Sequence, residues 1–165
     1  MGAEPDFEEA FDRLWPRCYR LARRMTGNRE AAEDIAAEAM ARLYARWRRV
    51  GNLEWKEAWV LRVTTNLAID AHRRSTPPLG HERTFNEEDA IVVRIALVEA
   101  LRALPERQRD AVVLRYLTDL DEADVARALH ISPGTVKSHL HRGISTLRRR
   151  LGDDLEEIYL AARPT

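Results

Sequence analysis

The sequence predicts an all-α protein made of two small helical domains joined by a flexible linker. Three observations predict it. Apolar residues recur at three- and four-residue intervals, no stretch sustains a period of two, and the pattern vanishes between Ser75 and Asp89. Domains usually hold about 50 to 200 residues, so 165 residues allow one domain or two small ones. The break in pattern decides for two: 1–75, a linker over 76–90, and 91–165.

The first helix carries Phe7, Phe11, Leu14, Cys18, Leu21 and Met25 on one stripe, and Thr26-Gly27-Asn28 stops it with a glycine. A second helix is expected from Arg29 to Trp47, burying Ala32, Ile35, Ala36, Ala39, Leu43 and Trp47, with Gly51-Asn52 closing the connection. A third, Lys56 to Arg74, turns Val60, Val63 and Leu67 inward and leaves Arg62, Asn66, Ile69 and Arg73 on another side. Trp59 is expected in the core. The stretch STPPLGHERTFNEED, with two prolines, a glycine and an acidic end, has the composition of a linker. Helices resume at Ala90 with Ile91, Ile95, Val98 and Leu101 buried. Pro105 then opens a helix to about Leu117, inward at Val112, Val113 and Tyr116. The tail after Gly152, DDLEEIYLAARPT, reads as a short amphipathic helix.

The last two helices form a helix-turn-helix. Asp121 caps the first, which buries Val125, Ala126 and Leu129, and His130-Ile131 makes the turn. Ser132 caps the second, and Pro133 occupies its first position, where a missing N–H costs nothing. Val136, Leu140, Gly143 and Leu147 face inward, leaving Gly134, Lys137, Ser138, His141, Arg142 and Ser145 outward. From Ile131 to Leu151 there are five basic residues (Lys137, Arg142, Arg148, Arg149, Arg150) and no acidic one, a local +5 in a chain whose 27 basic and 27 acidic residues cancel. Nucleic-acid affinity must therefore be local, and this helix is where it lies. Small residues at its start allow approach to a major groove, and Ser138, His141 and Arg142 can reach base edges. A solvated basic helix would account for the charge, but not for cap, turn and polar face falling together within thirty residues.

Composition narrows the other possibilities. The single cysteine, Cys18, excludes an internal disulfide and sits in a stripe that suits a buried, inert thiol. No apolar run approaches the roughly 20 residues of a membrane span, and MGAEPDFEEA is too acidic and polar for a signal peptide, so a cytoplasmic protein is expected. The five histidines, His72, His81, His130, His139 and His141, lack metal-ligand spacing, and no phosphate loop, nucleophile elbow or HExxH occurs; no metal, cofactor or enzymatic activity is expected.

The segment ISPGTVKSHLHRGISTLRRRL, preceded by LPERQRDAVVLRYL and DEADVARAL, resembles region four of bacterial sigma factors. REAAEDIAAEAMARLYARW resembles the core-binding part of region two, and AWVLRVTTNLAIDAHRR its promoter-melting part. A chain with only these two regions is similar to the extracytoplasmic-function (ECF) group of the sigma-70 family. The resemblance implies an initiation factor that binds core RNA polymerase and promoter DNA. Glu33, Asp34, Glu38 and Arg42 would dock on the clamp helices of the largest polymerase subunit, and region four on the flap of the second-largest. Gly51, Asn52, Trp55 and Lys56 would form the loop that captures an unstacked base of the minus-ten element, with Arg62, Asn66, Arg73 and Arg74 on the non-template strand. Lys137, Ser138, His141 and Arg142 would read the minus-thirty-five element, with Thr135 and His139 near its phosphates and Arg148 also bound to that element. The linker would thread past the polymerase active centre, and an anti-sigma factor is a possible further partner. The family pattern is not matched everywhere: Ala37 replaces a common glutamine, Glu122 an apolar residue, His130 the turn glycine and Trp55 a small capping residue. A LuxR-type regulator, which shares the TVK-x-H helix of Thr135–His139, is the competing reading. Its N-terminal half would alternate strands and helices or be larger, unlike residues 1–75.

Overall fold

The computed structural model describes residues 6–75 and 88–152. Helix α1 (Phe7–Thr26) begins at Asp6, whose carboxylate accepts the Glu8 N–H at 2.8 Å, and ends at Gly27 with φ +67°. Leu14, Cys18, Leu21 and Met25 are buried, as the stripe requires, while Phe7 and Phe11 lie half-buried at its outer end. Burial pushes the Cys18 thiol above its ordinary pKa, so it stays protonated and unreactive.

Helix α2 (Arg29–Ala45) is capped by Asn28 and stops two residues short of the expected end. A kink at Arg46 starts a separate turn, α3 (Trp47–Val50). Trp47 is thus not a continuation of the α2 stripe: its ring is half-buried and meets Phe7 edge-on at 5.1 Å. Gly51 is buried against that indole, and an added Cβ would lie 2.8 Å from Trp47 Cε2 and from the Trp47 carbonyl. Because one of those atoms is backbone, the clash cannot be relieved by a rotamer change. Gly51→Ala is expected to cost about 1–3 kcal/mol, the range of an overpacked core, and to lower the thermal midpoint by several degrees in calorimetry.

Helix α4 (Lys56–Ser75) buries a different face from the one periodicity assigned. Val60 is inside, but so are Leu61, Ala68 and Ile69, together with Thr64 and Thr65, whose hydroxyls donate to Val60 O and Leu61 O at 2.9 Å. Val63 and Leu67 are only half-buried, and Ile69 turns inward, not outward. Back-bonding satisfies each threonine hydroxyl inside its own helix, which lets a polar residue occupy a core position. Trp59 is half-buried, with the Arg46 guanidinium 5.8 Å from its ring centroid. Helices α1, α2 and α4 pack on one another as a three-helix bundle.

The second half begins with α5 (Glu88–Arg102), two residues before the expected start. Val98 and Leu101 are buried and Ile95 is half-buried, while the side chain of Ile91 lies outside the described residues. Pro105 precedes α6 (Glu106–Val112), which widens into a π-helical turn, Val113–Leu117. Val112, Val113 and Leu114 are buried there, and Tyr116 only half so. Helices α7 (Glu122–Leu129) and α8 (Pro133–Leu151) complete a bundle with α5 and α6. Gly143 lets α8 cross α6 closely: a Cβ there would lie 2.8 Å from Val112 Cγ2. Among the described residues there is no strand, and no helix is long and apolar enough to cross a membrane. Residues 76–87, most of the linker expected over 76–90, and the tail 153–165 lie outside the described residues, while 88–90 belong to α5.

Candidate nucleic-acid interface

The helix-turn-helix is built from its caps. Asp121 accepts the Asp124 N–H at 2.7 Å, and Ser132 Oγ accepts the Thr135 N–H at 3.1 Å. Between them the Ile131 N–H bonds Ala126 O at 3.1 Å and the His130 N–H bonds Arg127 O at 3.3 Å, the paired pattern of a Schellman stop. His130 takes the left-handed position of that motif, φ 55° and ψ 45°, where glycine usually stands. The turn therefore keeps its geometry despite the missing glycine, and the imidazole is thrown outward against Trp55, edge-on with ring centroids 4.8 Å apart. A shallow open cleft of about 660 Å³ runs between Trp55 and the turn, bounded by Arg127, Ile131, Ser132 and Pro133.

On α8, Val136, Leu140, Gly143 and Leu147 are buried, which fixes the register of the opposite face. Lys137, Ser138, His141, Arg142 and Arg148 are exposed along it, while Thr135 and His139 sit half-buried at its margins. Ser138 Oγ donates to Gly134 O at 3.1 Å and Thr135 Oγ1 meets Ser132 Oγ at 2.9 Å. Glu122, the residue that departs from the family's apolar position, reaches Lys137 Nζ at 4.0 Å instead of packing inward. The His139 ring turns its Nδ1 into the protein, where it has no hydrogen-bond partner.

In the N-terminal bundle, Asn52, Asn66, Arg73 and Arg74 are exposed, Lys56 is half-buried with its ammonium donating to Leu53 O at 3.3 Å, and Gly51 is buried under Trp47. Arg62 is bound elsewhere. Its Nε and Nη2 reach Asp110 Oδ2 at 2.9 and 2.8 Å, and Asp110 is only 1% exposed. Burial raises the Asp110 carboxyl pKa more than the facing Arg62 charge lowers it. On α2, Glu33 pairs with Arg29 (2.9 Å), Glu38 with Arg42 (2.7 Å), and Asp34 stands exposed between them.

Sequence reasoning did not find the arginines that join the two bundles. Arg17 Nη2 donates to Thr118 O at 2.8 Å and Arg24 Nη1 to Leu117 O at 2.7 Å, both carbonyls at the end of the π-helical turn. Arg94 Nε returns a bond to Arg24 O at 3.0 Å, with its guanidinium resting on Gly27. His72 Nε2 lies 3.0 Å from Glu99 Oε1. Desolvation lowers the pKa of Arg17, Arg24 and Arg94, as expected for cations drawn into an interface. A π turn, invisible to composition, presents the two carbonyls together, and Asp119, at φ 57°, follows it.

Comparison with known proteins agrees with the two bundles. The family model for sigma-70 region 2 matches residues 10–77 and that for sigma-70 region 4 matches residues 94–147. The chain is 31% identical over 172 residues to the ECF RNA polymerase sigma factor SigW of Bacillus subtilis, covering 92% of each chain. It is also 31% identical over 157 residues to the RNA polymerase sigma-E factor of Streptomyces coelicolor, covering 92% of this chain and 89% of that one. Among solved structures, the fold is similar to the sigma factor RpoE of Bartonella quintana, in complex with the anti-sigma factor NepR, with TM-score 0.54 at 20% identity over 90% of this chain and 98% of that one. It is likewise similar to CnrH in complex with the cytosolic domain of CnrY, with TM-score 0.57 at 18% identity over 93% and 92%. A region-two match across the N-terminal bundle disfavours a LuxR-type regulator, whose likeness ended at α8. The chain belongs to the sigma-70 family and, within it, to the ECF RNA polymerase sigma factors.

Proposed function

We propose that this ECF sigma factor acts as a dissociable, catalytically inert cytoplasmic subunit that converts core polymerase into a promoter-specific holoenzyme, each bundle reading one promoter element. Sigma factors as a family are non-enzymatic initiation factors that bind core polymerase and promoter DNA. The observation that carries the assignment of parts is α8: a helix capped by Ser132, carrying a local charge of +5 in a neutral chain, and exposing Lys137, Ser138, His141 and Arg142 on one face. In this reading residues 1–75 are region two, 76–90 the linker and 91–165 region four. Region four reads the minus-thirty-five element through Lys137, Ser138, His141 and Arg142, with Thr135 and His139 near phosphates, Arg148 also on that element, and the flap as its polymerase contact.

Region two docks on the clamp helices through Glu33, Asp34, Glu38 and Arg42. It reads the minus-ten element through the Gly51–Lys56 loop and through Arg62, Asn66, Arg73 and Arg74. Trp55 supplies an aromatic face on which a flipped base can stack, and the arginines supply backbone cations, the usual combination for holding a single strand. Neutral overall charge suits this division, because polymerase holds both readers at high effective concentration while each alone binds weakly. An anti-sigma factor, of the kind seen with the Bartonella protein, is a fitting further partner.

Adding the purified protein to core polymerase is expected to produce run-off transcripts from the promoters that its controlled expression activates, with start sites aligned on two spaced elements. Operator binding by the protein alone, with no transcript gained from core polymerase, would refute the proposal.

A further inference from the structure

We propose that the acidic run just after α8, Asp153, Asp154, Glu156 and Glu157, docks on the arginine face of that helix in place of DNA phosphates and keeps the polymerase-free chain off bulk DNA. The proposal rests on the reading of α8 as a DNA-binding helix. Arg148 and Arg149 continue the face that carries Ser138, His141, Arg142 and Ser145, because steps of three, four and seven residues return to one side of a helix. All six are exposed, as is Arg150 beside them. Helix α8 holds no acidic residue, and among the described residues its one ion pair is Lys137 with Glu122, near the opposite end. Three consecutive guanidiniums thus close the helix, and Arg149 donates to Thr146 Oγ1 at 3.2 Å, a neutral partner. The negative end of the helix favours cations there, but its charge of about one half cannot balance three.

The chain itself supplies the counter-charge. Four of the five residues that follow Gly152 are acidic, and the match to sigma-70 region 4 stops at residue 147, short of them. Gly152 takes φ 63° and ψ −146°, a region that only glycine occupies readily, so the helix cannot continue through it. Arg142 lies about 15 Å along the axis from Gly152, and five residues of chain span at most about 17–18 Å. Asp153 and Asp154 are therefore within reach of Arg148–Arg150, and Glu156 and Glu157 within reach of Arg142, whereas Lys137, about 22 Å away, is beyond them. A carboxylate accepts from a guanidinium through two oxygens much as a phosphate does, so tail and DNA compete for the same groups. Each exposed pair is weak, but the tether supplies the carboxylates at roughly millimolar effective concentration and the four act together. An unrelated duplex offers only its phosphates and loses to the tail. In the holoenzyme polymerase holds promoter and α8 together, and the DNA displaces it.

The test is binding of the full chain, without polymerase, to a fluorescent DNA duplex of unrelated sequence, followed by anisotropy at physiological salt. Asp153→Asn, Asp154→Asn, Glu156→Gln and Glu157→Gln together should tighten binding about tenfold, as when a face free about a tenth of the time becomes fully free. Glu8→Gln, Glu9→Gln, Asp12→Asn and Glu30→Gln remove the same charge from exposed sites on α1 and α2. They should change binding less than about twofold, because screening over about 8 Å leaves only local charges in play. Arg148→Gln, Arg149→Gln and Arg150→Gln together should weaken binding about tenfold more in the tail-neutralised chain than in the unaltered one, whereas Lys137→Gln should weaken both by the same factor. No tightening on neutralising the tail, equal tightening by the two sets of carboxylate changes, or one arginine effect in both backgrounds would overturn tail docking. Arginine and Lys137 changes without effect on duplex binding in either background would instead overturn α8 as the DNA-binding helix, and the proposal with it.

Discussion

Arg142→Ala is expected to reduce discrimination for the minus-thirty-five element by about 5- to 150-fold, the equivalent of about 1–3 kcal/mol for one well-formed base contact. Arg142 is exposed on α8, directly before the buried Gly143, so its side chain leaves the helix on the face opposite Val136, Leu140 and Leu147. Alanine is the better helix former and removes no buried contact, so the fold should be unaffected. The measurement is transcription from a cognate promoter and from one with the upstream element scrambled. The variant should lose most of the ratio between them while retaining wild-type affinity for core polymerase. A fall in core affinity would place Arg142 at the flap and not in the groove. Loss of activity by the same factor on both templates would reduce it to a phosphate contact, whose mark is a shallower salt dependence.

Replacing Asp34 and Glu38 together by alanine should give the reverse pattern. Core polymerase affinity is expected to fall by about 30-fold or more, because removing one side of an interfacial charge pair costs roughly 2–5 kcal/mol, much of it from the partner charge left unpaired. Stability should barely change. Glu38 pairs with Arg42 on an exposed helix face at separation i,i+4, an arrangement worth about 0.3–0.5 kcal/mol, and Asp34 is exposed. A pull-down on immobilised core polymerase, together with a thermal melt, separates the two effects. Unchanged retention would count against α2 as the docking surface, and a collapse of the melt would make the retention uninterpretable as a contact. Because the surface pairs Arg29–Glu33 and Arg42–Glu38 hold their carboxylates along one ridge, wild-type affinity should fall as salt rises and the variant's much less, so that the difference between them narrows.

Arg62 requires a different design. Arg62→Ala alone would leave Asp110, 1% exposed, without the guanidinium that hydrogen-bonds it, and breaking a buried pair from one side is costly. The double variant with Asp110→Asn removes that penalty, so a remaining loss of promoter opening reports the DNA contact alone.

Much of the molecule was legible in the residues. The local rules are strong where capping and periodicity agree. Asp121, Ser132 and Pro133 placed the ends of α7 and α8 at the observed residues, and Val136, Leu140, Gly143 and Leu147 set which face of α8 is exposed. The two-bundle fold and the family followed from the same segments. Periodicity misassigned α4, because buried threonines that bond their own helix do not register as apolar and Ile69 was counted with its polar neighbours. It also ran α2 through Arg46, since a kink between two good helix formers leaves no Gly or Pro signature.

What the sequence by itself determined is therefore local and one-dimensional: helix ends, buried stripes, the charge excess of α8 and the order of the two regions. The tertiary structure decided which charges meet. Arg17, Arg24 and Arg62 look alike as residues on amphipathic helices, and nothing within several residues of any of them names a partner. Arg17 pairs with Glu57 within its own bundle, and across the bundles the three reach the Thr118 and Leu117 carbonyls and a buried Asp110, 101, 93 and 48 residues away. Helical periodicity carries information over three or four residues, whereas an ion pair between bundles depends on the packing of helices far apart in the chain. That is why His130 could be read as an awkward turn residue from the sequence and only the folded chain set it against Trp55.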